Sequence, residues 1–162
     1  MNKADIYGLL AAQDISYEVT DHPAVMHMEE LGSTTLPYPQ DVAKSLFLTD
    51  GSHSTYLMVV IKGNKKIRLP DIRMQIGGRR LTFASVEEMQ KILSLTPGSV
   101  TPLGVLQEEK KEVKVYIDKA FQTGSRRIGI HPLENTATLW LDVEDLVKLL
   151  RAQGTKVNFL EI

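Results

Sequence analysis

Apolar residues recur at close to helical spacing between Lys3 and Gln13, at Ile6, Leu9 and Leu10, which predicts a first helix with one buried face. Ile15, Tyr17 and Val19 alternate with polar neighbours and predict a strand over Ile15 to Thr20. Beyond His22-Pro23, Val25 to Leu31 reads as a short helical piece carrying Glu29 and Glu30. Gly32 to Gln40, rich in Ser, Thr and Pro, reads as a surface loop of the kind that often carries sites. Leu46-Phe47-Leu48 is continuous enough for a buried strand with Lys44 at its mouth, and Asp50-Gly51-Ser52 turns the chain into a second apolar strand, Thr55 to Lys62, ended by Gly63-Asn64. A short helix is expected at Pro70 to Ile76, stopped by Gly77-Gly78, and a brief strand at Leu81 to Phe83. Ser85-Val86-Glu87-Glu88 has the pattern of a capping box ahead of Met89, Ile92, Leu93 and Leu95 at helical spacing.

That helix delivers the chain to Thr96-Pro97-Gly98-Ser99-Val100-Thr101-Pro102. Pro97 suits the first corner of a turn, Gly98 the positive φ of a type II second corner, and Pro102 holds Thr101 extended. The amides of Gly98, Ser99 and Val100 then have no obvious ladder to join. Such N–H groups can receive an oxyanion or a phosphate, although a rigid connector would show the same residues. Leu103 to Leu106 is expected as a strand or bend, and Val113, Val115 and Ile117 as one face of a strand ending at Asp118. Arg126 to Ile130 leads to His131-Pro132, and Asn135 precedes a strand from Thr136 to Leu141. Asp142 caps a last helix that Gly154 ends, and Val157, Phe159 and Leu160 close the chain as a strand. The mixture predicts an α/β or α+β fold around a mixed sheet.

With 162 residues, 43% of them hydrophobic and 24% charged, the chain fits one domain, 1–162, with a core of its own. The absence of cysteine excludes a disulfide framework, a thiolate zinc site and a cysteine nucleophile. No apolar run approaches the ~20 residues of a membrane span, so a cytoplasmic protein with no membrane partner is expected. A net charge of −1 provides no global field for nucleic acid. Any RNA contact must be local, at Lys62, Lys65, Lys66 and Arg68, at Arg73, Arg79 and Arg80, or at Arg126 and Arg127. Each cluster taken alone reads first as a solvated face, since a charge run needs no partner.

No Walker loop, dinucleotide fingerprint, metalloprotease helix or serine elbow is present. His22, His27, His53 and His131 lack metal-ligand spacing, and no metal site or cofactor is expected. Lys44 can hold a phosphate or a carbonyl oxygen, or merely extend its ammonium to solvent. His131 can wall a pocket, exchange a proton, or serve the fold alone.

Val42-Ala43-Lys44-Ser45-Leu46-Phe47-Leu48, the turn Thr96 to Pro102, and His131-Pro132-Leu133-Glu134-Asn135-Thr136-Ala137-Thr138 together resemble the YbaK-like aminoacyl-tRNA deacylases. Within these the chain is most similar to the free-standing relatives of the editing domain in bacterial prolyl-tRNA synthetase, the ProX type. The resemblance covers nearly the whole chain. It implies a strongly curved mixed sheet flanked by helices and metal-free hydrolysis of a mischarged aminoacyl ester on tRNA(Pro). Alanine is the expected amino acid, with cysteine, or a tRNA-end-binding module without hydrolysis, as the alternatives. It places Lys44, Gly98 and His131 at the chemistry, and Ser45, Ser99, Val100, Thr101, Pro102, Asp118 and Asn135 around the substrate. Lys62, Lys65, Lys66, Arg68, Arg79 and Arg80 are the expected RNA contacts, and prolyl-tRNA synthetase is a further partner it suggests.

Overall fold

The computed structural model describes residues 1–24, 36–63 and 65–162. The helical piece expected at Val25–Leu31, the first part of the expected loop Gly32–Gln40, His27 and Asn64 lie outside the described residues. Helix α1, Lys3–Ala12, opens on a capping box between Asn2 and Asp5. The strand expected from Ile15 begins later, as β1, Glu18–Asp21. The reason is local: Asp14 turns left-handed, the Ile15 amide returns to the Leu10 carbonyl at 2.9 Å, and Ile15 drops into the core as the end of the helix.

Strands β2, Ala43–Thr49, and β3, Tyr56–Lys62, form an antiparallel hairpin with unbroken register from Ala43 opposite Lys62 to Thr49 opposite Tyr56. Leu57 to Ile61 are all buried because both faces are covered. Met58 and Val60 enter the main core, while Leu57, Val59 and Ile61 meet Leu46, Leu48, Ile72 and Leu81 on the other side. Ile72 comes from α2, Leu69–Ile76, and α2 is followed by the two-residue β4, Thr82–Phe83, on the edge of β2. Helix α3, Val86–Leu93, has the Ser85–Glu88 capping box and stops at Ser94, which takes a left-handed φ of 55°.

Strand β5, Lys114–Asp118, lies parallel to β3, and β8, Val157–Leu160, parallel to β5, so the five-stranded sheet runs β4-β2-β3-β5-β8 and is mixed. A second, antiparallel sheet runs β1-β7-β6, with β6 at Arg127–Ile130 and β7 at Ala137–Asp142. Asp142 caps α4, Val143–Ala152, which places Leu146, Val147, Leu149 and Leu150 in the core. The main apolar cluster runs from Ile6 to Val157 and takes residues from both sheets. Among the described residues, no helix is long and apolar enough to cross a membrane.

Besides their shared core, one backbone bridge among the described residues joins the two sheets. Val42 makes an isolated parallel bridge to Gly129, and no ladder extends from it. Gly129 is required there, because a Cβ would lie 2.3 Å from the Trp140 indole. Pro132, which has no N–H, and Leu133 at φ 71° then end β6's extended course just beyond the bridge.

Candidate active site

Alternate residues of β2 face opposite sides. Ala43 and Phe47 join the main core and Leu46 and Leu48 the second cluster, so Lys44 shares the face of Leu46. It lies inside the strand, not ahead of it. Lys44 is exposed and has no hydrogen bond or ion pair among the described residues. Val42, two residues earlier on the same face, packs with Leu36 and Trp140. That contact makes the outer side of the three-stranded sheet continuous with the lysine-bearing side of β2.

On β6 the corresponding residues are Gly129, opposite Val42, and His131, two further on. Lys44 and His131 therefore stand at matching positions just past the bridge, where the strands part. His131 is 8% exposed, and its Nδ1 lies 3.1 Å from the Ala137 carbonyl. A carbonyl only accepts, so Nδ1 carries the proton and in the neutral ring Nε2 keeps its lone pair. Burial holds the His131 pKa below the usual histidine value, and nearby His22 pushes the same way against the opposing pull of the Ala137 carbonyl. The ring is neutral at pH 7.

His22 stands close to His131, which nothing in its own sequence neighbourhood apart from the following proline signals. Its ring centroid lies 6.3 Å from that of His131. Its Nδ1 is 2.9 Å from the Pro23 carbonyl, to which it donates, so Nε2 of the neutral ring accepts from the Thr138 hydroxyl at 2.9 Å. The available signal was the repeated dipeptide, since His22-Pro23 leaves β1 as His131-Pro132 leaves β6. Between Pro132 and β7, Lys3 pairs with Glu134 at 2.9 Å and the Thr136 hydroxyl donates to Glu134 at 2.7 Å, tying this loop to α1. Asn135 lies half-buried on the same loop.

The 97–102 turn differs from expectation at its glycine. Pro97–Ser99 is a single 3-10 turn closed by the Ser99 amide on the Thr96 carbonyl at 2.9 Å, and Gly98 is not among the left-handed residues. Ser94 has already reversed the chain, so no type II corner is needed. Ser99's is the turn's one amide in a backbone hydrogen bond among the described residues, which leaves that of Gly98 without a partner. Thr101 is extended as expected but fully buried, and its hydroxyl accepts from the Leu103 amide. Thr101 and Pro102 therefore brace the turn from inside, while Ser99 and Val100 are half-buried. The segment expected as a strand or bend continues as 3-10 helix from Pro102 to Gln107.

Three expected contacts serve the fold instead. Asp118 is 1% exposed, and its carboxylate accepts from the Ala120 amide at 2.9 Å, the Lys62 amide at 3.1 Å and the Lys65 ammonium at 2.8 Å. Lys62 also lies 3.7 Å from Asp41 and over the Phe121 ring. Asp118, Lys62 and Lys65 thus close the ends of β3 and β5. Lys66, Arg68, Arg79 and Arg80 remain exposed and make no ion pair among the described residues.

A family model for the aminoacyl-tRNA editing domain matches residues 22–149, from the first histidine of the pair to α4. The chain is 36% identical over 148 residues to the prolyl-tRNA editing protein ProX of Acetoanaerobium sticklandii, covering 91% of this chain and 90% of that one. It is 31% identical over 159 residues to prolyl-tRNA synthetase associated domain-containing protein 1 of Mus musculus, covering 94% and 91%. The solved structure of a candidate trans-editing enzyme for prolyl tRNA synthetase matches with a TM-score of 0.69 over 99% of this chain and 96% of that one. At 19% identity that is a likeness of fold.

Proposed function

The chain belongs to the aminoacyl-tRNA editing domain family, and from that membership we propose a trans-acting deacylase that clears alanine from mischarged tRNA(Pro) without a metal ion. Residues 1–162 act as one editing domain in the cytoplasm, on tRNA charged by prolyl-tRNA synthetase. The observation that carries the reading is an exposed Lys44, without a partner among the described residues, two residues past the Val42–Gly129 bridge on one strand as the buried His131 is on the other. Lys44 anchors the terminal phosphate or ribose, and the Gly98 amide polarises the ester carbonyl. A water oxygen adds to the carbonyl carbon, assisted by the neighbouring ribose 2′-hydroxyl. The bond from that carbon to the 3′ oxygen breaks, and the 3′ oxygen leaves with a proton, giving free amino acid and intact tRNA. His131 borders the side chain and limits its size.

The task has a physical basis. A missing methylene is worth only about 1–3 kcal/mol in an apolar synthetic pocket, so alanine enters a proline site and a second sieve must remove it. Among the described residues no group of three His, Asp or Glu side chains is placed to hold a metal, and carbonyl polarisation by N–H groups asks for none. Lys66, Arg68, Arg79 and Arg80 contact phosphates.

The test is a deacylation panel of Ala, Cys, Ser and Pro esters on one tRNA(Pro), with and without EDTA. Ala-tRNA(Pro) should be cleaved fastest, at a rate EDTA leaves unchanged. Faster release of cysteine would assign the other substrate. Loss in EDTA with recovery on adding a divalent metal would end the metal-free route. Binding without single-turnover cleavage would reduce the protein to a tRNA-end binder.

A further inference from the structure

Among the described residues, the outer edge of β2 is left unpaired for a short stretch beside Lys44. One edge of this strand is fully paired with β3. On the other, β4 pairs with Leu48 and Thr49, the Ala84 amide donates to the Phe47 carbonyl, and Gly129 bridges Val42. Between Val42 and Phe47 no strand among the described residues is paired to this edge. In a regular strand the N–H and C=O of one residue point to the same edge, and successive residues alternate. The Gly63 amide donates to the Val42 carbonyl on the β3 side, whereas the Phe47 carbonyl is used on the β4 side. The register through β2 is continuous, so Ser45 has the orientation of Phe47. Its N–H and C=O face the opening between the Ala84 contact and the Val42 bridge, and neither has a partner among the described residues.

An unpaired N–H and C=O on one residue form half of the hydrogen-bonded pair of an antiparallel sheet, whose other half is the N–H and C=O of a single opposing residue. An aminoacyl ester is such a residue. Its α-ammonium donates and its ester carbonyl accepts, separated by one Cα. We propose that Ser45 binds the aminoacyl group through its main chain, its N–H donating to the ester carbonyl and its C=O accepting from the α-ammonium. This rests on the deacylase reading and deepens it, because it assigns recognition of the α-amino acid skeleton to the strand edge and leaves side-chain size to His131. The Ser45 side chain, which shares the core face with Ala43 and Phe47, has no part in it.

The test compares three changes at one position. Ser45→Ala keeps the amide and should deacylate Ala-tRNA(Pro) within about threefold of wild type. Ser45→Pro removes the N–H where the strand edge is open, a place that tolerates proline. It should retain its unfolding temperature and lose about 100-fold or more in kcat, the scale of one oxyanion donor. If Ser45→Pro fails to fold, replacing the 44–45 peptide bond by an ester removes the same donor and must give the same loss. A folded proline or ester variant at the wild-type rate overturns the proposal, as does a Ser45→Ala variant that loses as much as Ser45→Pro. For the carbonyl half, wild-type cleavage of propionyl-tRNA, which lacks the ammonium, should fall about tenfold or more below the alanyl ester after each is divided by its spontaneous rate. Equal ratios remove that half. If wild type cleaves no aminoacyl-tRNA at all, the deacylase reading fails. The edge is then judged by an amide-linked alanyl-adenosine, which must bind wild type at least about tenfold more tightly than the ester variant or the proposal fails too.

Discussion

Asp41 and Lys44 are three residues apart on the run into and along β2, and their charges have opposite fates. Asp41 is 1% exposed and accepts from the Ser125 hydroxyl at 2.9 Å and Arg127 at 3.3 Å, with the Lys62 ammonium at 3.7 Å. Arg127 in turn lies 3.6 Å over the Tyr38 ring. This clamp draws the end of β3 and the start of β6 onto the foot of β2, where Val42 meets Gly129. Lys44, one step past that closure, has no partner among the described residues. The closed end fixes where the open end stands, so the first should govern stability and the second chemistry.

The sharpest division comes from Lys44→Ala. Losing the proposed anchor of the terminal phosphate or ribose misplaces the ester and should lower kcat/KM for Ala-tRNA(Pro) by about 100-fold or more. An unpaired exposed side chain contributes little to folding, so the unfolding temperature should stay within about 2 °C. Full deacylation by this variant would remove Lys44 from the mechanism.

Asp41→Asn is the converse experiment. It leaves Lys62 and Arg127 without their carboxylate, and because both are partly exposed the expected cost is about 2–3 kcal/mol and not the larger figure for a sealed pair. At this chain length that is a fall of roughly 5–10 °C in a thermal melt. The folded fraction should deacylate near the wild-type rate. A variant of unchanged melting temperature that is inactive would erase the distinction between the two ends.

The sequence shows why one half of this arrangement is readable and the other is not. The Ser85 capping box, the apolar run of β3 and the extended Thr101 before Pro102 are local signals, and each is found where it was expected. The roles of Lys62 and Lys65 are not local. Lys65 reaches Asp118 across 53 residues and Lys62 lies against Asp41, and no spacing rule distinguishes them from Lys66 and Arg68, which face solvent. Gly98 was assigned a left-handed corner because its neighbours fit one, but the reversal had already been made at Ser94. The partnership of His22 with Thr138 spans 116 residues, and only the sheet brings it about. Local grammar therefore reveals the apolar heart of β2, Leu46 to Leu48, while the place of Lys44 inside the strand and the closures around it depend on contacts distant in sequence.

The same contrast extends to the proposed RNA contacts, with a smaller effect. Arg79→Glu with Arg80→Glu should raise KM several-fold with little change in kcat, and should reduce the slope of log affinity against log salt by about 1–2. Lys65→Ala should instead lower the melting temperature and leave KM as it is, because its ammonium is held by the Asp118 carboxylate and the Ile162 carbonyl. If Lys65→Ala shifted KM and not stability, the division between structural and RNA-facing cations would have to be redrawn.

The mildest test lies in the pH dependence of stability and concerns His131. Its folded pKa is depressed, chiefly by burial, so the unfolded chain binds a proton more readily than the native one. The stabilisation is complete above the unfolded value of about 6.5, and is lost as pH falls through that value toward the lower folded one. Glu88 and Glu134 are also shifted downward, by the Ser85 amide and by Lys3 in first place. Their contributions disappear only below the ordinary carboxylate range, so the slope just under pH 6.5 belongs to buried histidine. Replacing the ring by His131→Gln should flatten that part of a stability–pH curve measured by denaturant melts. It should also change which aminoacyl ester is preferred, since the proposed site has the imidazole bordering the side chain. A variant that keeps the wild-type slope would show that burial does not hold the His131 ring neutral in the native state, and would remove the electrostatic part of its place in the proposed site.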